Sequence, residues 1–158
     1  MPANPRPDDP APQDPMQAAL HEAHLAAAAN EVPVGAVVVG PDGIILARAH
    51  NLVEAAHDPT AHAELLALRQ AAATSGEPRL PDCDLYVTLE PCPMCAHAIS
   101  LFRIRRLFFG AYDPKGGGVD HGPRIFDSPA CHHRPEIIGG LRESDCALLL
   151  QAFFQGKR

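Results

Sequence analysis

Apolar positions recur at helical spacing from Met16 through Ala19, Leu20, Ala23 and Ala27, and the pattern stops at Asn30 and Pro33. A first helix is expected there. Two β-rich runs follow, Val34 to Val39 and Ile44 to Ala49, separated by Gly40-Pro41-Asp42-Gly43. Glycines that accept positive φ beside a proline with fixed φ make that tetrapeptide a turn, so the two runs predict an antiparallel hairpin. Asp58-Pro59-Thr60 reads as a second turn, with Thr60 as a hydroxyl N-cap for an alanine- and leucine-rich helix over Ala61 to Ala73. Asp84 to Leu89 predicts a third strand, and Pro91-Cys92-Pro93 opens a third helix, since proline at a first helical position sacrifices no hydrogen bond. Arg105 to Ala111 is a fourth strand. A glycine-rich loop over Lys115 to Gly118, an irregular stretch with Cys131, His132 and His133, and a short strand around Glu136 to Ile138 come next. The last helix carries Cys146, Leu149, Leu150, Phe153 and Phe154 on one face, so that Phe153-Phe154 read as core residues of the stripe, with the last aromatic alternatively reaching a substrate.

Strands alternating with helices after an opening hairpin predict an α/β fold, a three-layer α-β-α sandwich around a mixed five-stranded sheet. Residues 16–158 form its one domain. The first fifteen residues do not join this pattern: six are proline, with Asp8, Asp9 and Asp14 among them, and they read as a disordered arm over residues 1–15.

With 158 residues and 46% hydrophobic side chains, the chain is large enough for a substantial core. Its net charge of -6 offers no global attraction to a polyanion, so contact with nucleic acid requires a local basic surface. Arg103, Arg105, Arg106, Lys115, Arg124 and Arg134 are candidates for one, or simply solubilise the surface. Five cysteines, an odd number without the spacing of a disulfide framework, and the lack of an apolar leader point to a cytoplasmic protein. No apolar run is long enough to predict a membrane span.

The chemistry concentrates in two short segments, Ala61-His62-Ala63-Glu64 and Pro91-Cys92-Pro93-Met94-Cys95. Cysteines three apart at a helix start lie near one face of its first turn, where unpaired amides and the helix dipole favour thiolate over thiol. Two soft thiolates and an imidazole select zinc over calcium or magnesium. Three protein ligands, His62, Cys92 and Cys95, leave a fourth position for water, whose pKa zinc lowers to about 7. Glu64 supplies the remaining requirement, a carboxylate to move protons between water, ring nitrogen and departing amine. His62 and Glu64 can converge on one ion only at a helix start, because residues two apart inside a helix diverge by roughly 200°. Two alternatives stay open on these residues: deamination of a free guanine, cytosine or nucleoside, and a zinc-stabilised interaction module with a fourth ligand such as His50, His57 or Cys131. Cys83, Cys131 and Cys146 read as packing residues, and His132-His133 as solvated or bonded to backbone.

Together the two segments match H-x-E…P-C-x-x-C, the signature of zinc-dependent base deaminases. Beyond it, the chain resembles the bacterial tRNA-specific adenosine deaminases, of the cytidine deaminase-like superfamily. The resemblance runs from Glu31-Val32-Pro33-Val34-Gly35-Ala36 through His57 to Glu64 and Leu85 to Cys92, then through Phe109 to Lys115 and on to Phe153-Phe154. It implies hydrolytic deamination of the wobble adenosine of a tRNA anticodon, an arginine tRNA, with one Zn2+ per subunit of a homodimer. It also implies that Asn51 and the amide of Ala63 meet the base or its ribose, that Asp113 and Lys115 touch neighbouring nucleotides, and that Phe154 lines the channel. A loop base is already partly unstacked, so its extrusion into a pocket costs little.

Overall fold

A computed structural model of the protein describes residues 6, 8 and 12–157. The expected arm over residues 1–15 therefore lies largely outside the described residues. Asp14 caps the first helix, α1 (Pro15–Ala28), accepting the amide of Gln17, and Pro15 occupies the opening turn where a missing N–H costs nothing. Asn30, in the left-handed region, ends it.

Strands β1 (Gly35–Val39) and β2 (Ile45–His50) form the expected hairpin. Its turn is closed by Gly43 N–H to Gly40 O and by Asp42 Oδ1, which accepts the amide of Ile44. A single helical turn, α2 (Val53–Ala56), comes next and was not expected, because four residues are too few to show a period. Then follow α3 (Ala63–Ser75), β3 (Asp84–Leu89), α4 (Pro93–Leu101), β4 (Arg106–Ala111), a 3-10 turn at Ile125–Asp127, β5 (Glu136–Ile138) and α5 (Glu143–Gln155).

The sheet has five strands in the order β2-β1-β3-β4-β5. β1 is antiparallel to both its neighbours, whereas β3, β4 and β5 run parallel, so the sheet is mixed as predicted. α1 and α5 pack on one face and α3 on the other, with α4 beside α3. Strand alternation divides the core accordingly. Ala36 and Val38 join Leu85, Val87, Leu107 and Phe109 beneath α3 and α4, while Val37 and Val39 join Met16, Leu20 and Cys146 beneath α1 and α5. Gly35 lets α1 settle onto the sheet: a Cβ there would stand 1.9 Å from the carbonyl oxygen of Ala19.

Two local expectations are corrected. Thr60 does not cap α3; its hydroxyl and its amide both donate to Asp58 Oδ1, and the N-cap position belongs to His62. The apolar stripe of α5 is not all core either, since only Cys146 is buried and Phe154 is 51% exposed. Among the described residues no helix is long and apolar enough to cross a membrane.

Candidate active site

The two chemical segments meet where two helices begin. His62 has extended backbone (φ -81°, ψ 147°) and sits at the N-cap of α3, while Cys92 (φ -69°, ψ 169°) sits at the N-cap of α4 with Pro93 next. Strand β3 delivers Cys92 from the sheet, and the first turn of α4 carries Cys95 round to it, Ala96 N–H bonding to Cys92 O at 2.8 Å. His62 Nδ1 lies 3.5 Å from Cys92 Sγ and 3.5 Å from Cys95 Sγ. The three donor atoms lie within 4.8 Å of one another, and no fourth His, Cys, Asp or Glu completes this group among the described residues.

The first turn of α3 has an unusual support. With no cap from its own N-cap side chain, the amide of Ala63 donates to Asn51 Oδ1 at 2.8 Å, and Asn51 Nδ2 donates to Val32 O at 3.3 Å. The N–H of Ala63 is thus engaged by Asn51 and its side chain is fully buried. Glu31, also buried, accepts the amides of Glu54 and Ala55 and fixes α2 beside the same strand exit.

Electrostatics follow from the packing. Cys95 donates to Cys92, and with a further hydrogen bond from His62 this drops the Cys92 thiol to about 4 against the opposing effect of burial. Holding the shared proton while buried pushes Cys95 up. The contact with Cys92 also holds the His62 imidazole above its ordinary value. Burial raises the Glu64 carboxyl to about 7. A thiolate, a thiol sharing its proton and an imidazole form a donor set suited to a soft divalent cation, and His62, Cys92 and Cys95 could hold zinc through Nδ1 and two sulfurs.

These groups open onto a cavity of about 1020 Å³. Asn51, Asp113 and Phe154 line it together with His62, Glu64 and Cys92; Lys115, on the same loop as Asp113, is not part of the lining. Sequence reasoning missed Glu31, Glu90 and Lys157 and read Phe153 as core, yet all four line the cavity. Lys157 bonds to Asn30 Oδ1 and lies 5.2 Å from the centre of the Phe153 ring. Glu90 stood in the quoted segments with no role attached. Two of the alternative fourth ligands are engaged elsewhere, His50 with Glu22 and Cys131 with Ser100, and His133 Nε2 bonds to Ile104 O.

The family profile described as "Cytidine and deoxycytidylate deaminase zinc-binding region" matches residues 11–111, which include Glu64 and all three donors. The chain belongs to this deaminase family. Within the family it is 53% identical over 143 residues to the tRNA-specific adenosine deaminase of Agrobacterium fabrum, covering 90% of this chain and 93% of that one. It is 44% identical over 143 residues to the tRNA-specific adenosine deaminase of Bacillus subtilis, covering 90% and 88%. A solved structure from studies of A-to-I editing by tRNA:A34 deaminases at the wobble position of transfer RNA superposes with a TM-score of 0.84 at 53% identity, covering 86% of this chain and 98% of that one. The deaminase family match ends at Ala111, so the Asp113–His121 loop and α5 lie beyond it.

Proposed function

We propose that this protein converts adenosine to inosine at the wobble position of a tRNA anticodon, that of an arginine tRNA, by hydrolytic deamination in the cytoplasm. His62, Cys92 and Cys95 hold one zinc ion per subunit of a homodimer, and Glu64 moves the protons. The observation that carries this reading is the buried Glu64 carboxyl beside a His/Cys/Cys donor set on a cavity of about 1020 Å³.

Zinc, when bound, supplies Lewis-acid activation of the attacking water. Glu64, a buried carboxyl that lines the cavity beside the donor set, is positioned to accept a proton and to give one back. It takes the water proton, passes it to ring N1 and then delivers a proton to the departing amine, so adenosine and water become inosine and ammonia. Asn51 fixes the first turn of α3 and thereby aims both His62 and Glu64 at the same point.

The cavity stands at the upper end of the usual range for small-molecule sites, roughly 300–1,000 Å³. Its size suits a flipped base with its flanking backbone better than a free base. Asn51, Asp113 and Phe154, all lining residues, would meet the nucleotide, and Lys115, exposed on the Asp113 loop, a neighbouring phosphate. Lys157 adds a cationic group to the lining of the cavity in a net acidic molecule.

The decisive experiment incubates the zinc-loaded protein with an anticodon stem-loop bearing ACG and sequences the product. Inosine at the first anticodon position is expected. Ammonia released from guanine, cytosine or a nucleoside, with no inosine in the stem-loop, would overturn this reading in favour of a free-base deaminase.

A further inference from the structure

Glu90 is a buried carboxylate that the proposed chemistry does not use. It follows β3 and precedes Pro91-Cys92, and its side chain is sealed from solvent. Its Oε1 accepts the amide of Asp113 at 3.1 Å and the ring Nδ1–H of His121 at 2.8 Å. Its Oε2 accepts the amides of Val119, Asp120 and His121 at 3.2, 3.0 and 3.2 Å. Five donors converge on two oxygens, which exceeds the roughly four lone-pair sites a carboxylate offers. The group is saturated, so it has no free position from which to exchange protons with a substrate.

The donors come from both ends of one loop, Asp113 at its start and Val119 to His121 at its finish. Between them the chain passes directly over the metal-binding turn: Gly118 N–H bonds to Pro91 O at 2.8 Å, and a Cβ on Gly118 would stand 2.6 Å from the backbone nitrogen of Pro93. A Cβ on Gly117 would stand 2.3 Å from Glu90 Oε2. Glycine is therefore required at both positions for the loop to wrap the carboxylate this closely. Asp113 and Gly116 of this loop line the same cavity as Cys92.

We infer that Glu90 is a positioning residue whose carboxylate gathers the two ends of the Asp113–His121 loop, locks that loop onto the Cys92-Pro93 turn and so fixes the substrate-receiving wall of the cavity. It acts through the loop and not on the reacting atoms. His121 is the outer latch of the same cluster, donating to Glu90 through both its ring and its backbone amide and leaving part of its ring exposed. The inference about substrate binding rests on the proposed tRNA deaminase function; the inference about loop order does not.

The test uses Glu90→Gln in the full-length zinc-loaded protein. Glutamine keeps the shape but turns one acceptor into a donor facing other donors, an unpaired arrangement that favours local opening. Backbone hydrogen exchange over 113–121, measured without substrate, is expected to accelerate about ten-fold or more while exchange in β1 and β3 is unchanged. KM for the anticodon stem-loop is expected to rise about ten-fold with kcat within about three-fold and bound zinc retained. His121→Ala removes only the ring donor and is expected to move both quantities in the same direction by about three-fold; it decides the matter alone if the glutamine variant does not fold. Unchanged exchange over 113–121, or a fall in kcat at constant KM, would overturn the inference. If the wild-type protein forms no inosine, the tRNA reading fails while the exchange result still decides the role of Glu90.

Discussion

Glu64 and Glu90 are both buried glutamates close to the same cavity, and their surroundings drive them in opposite directions. At the start of α3, Glu64 lies beside two sulfurs and an imidazole with few donors to offset burial, and its carboxyl rises to about 7. At the end of β3, burial pushes Glu90 up too, but five N–H donors more than offset it and hold the carboxyl below its usual range. Burial alone therefore says little about what a carboxylate does. The number of donors aimed at it separates a proton carrier from a structural anchor.

The comparison is tested most sharply by removing the proton carrier. Glu64→Gln is expected to lower kcat by about 10³-fold while zinc content stays at the wild-type level, since a positioned acid–base group contributes about 10²–10⁴-fold. Zinc loss in that variant, measured by elemental analysis, would mean that the carboxylate supports the metal instead.

A second effect runs opposite to intuition. In the metal-free protein, a carboxyl raised from 4.5 to about 7 binds its proton more tightly when folded than when unfolded. Its contribution therefore falls as pH rises from about 4.5 to about 7, and above that range it costs roughly 3 kcal/mol. Metal-free Glu64→Gln should unfold at a higher denaturant midpoint than metal-free wild type at pH 8, and the two should converge near pH 4. Coincident midpoints at both pH values would refute the contrast between the two glutamates.

Asp84 extends the comparison to the start of β3, at the other end of that strand. Burial pushes its carboxyl up, but hydrogen bonds from Arg105 and Arg106, four in all at 2.8–3.1 Å, bring it below its usual value. With a depressed folded pKa, its stabilisation is present above the unfolded value near 3.8 and is lost as pH falls through the folded one. Both arginines are about 40% exposed and can turn to water. Asp84→Asn should therefore cost only about 1–2 kcal/mol at pH 7 and flatten the acid limb of the stability profile, as read by urea unfolding.

Much of the site was legible in the sequence because its chemistry is local. His62 and Glu64 lie two residues apart, Cys92 and Cys95 three, and each pair sits beside a proline-marked helix start whose geometry follows from first principles. The hairpin was legible for the same reason, through its Gly40–Gly43 turn. What escaped was held by side-chain hydrogen bonds to the backbone of distant segments. Asn51 reaches Ala63 across 12 residues, Glu31 reaches Glu54 across 23, and Glu90 reaches His121 across 31, and none of these leaves a periodic trace. Phe153 misled for a different cause: a stripe that borders an open cavity has the same spacing as one that faces a core.

The bond from Ala63 to Asn51 has a mechanical consequence. The ends of helices ordinarily fray, and a reaction centre built on a first turn would share that looseness. Here the first turn of α3 is tethered to the strand exit, so the imidazole and the carboxylate inherit the stiffness of the sheet.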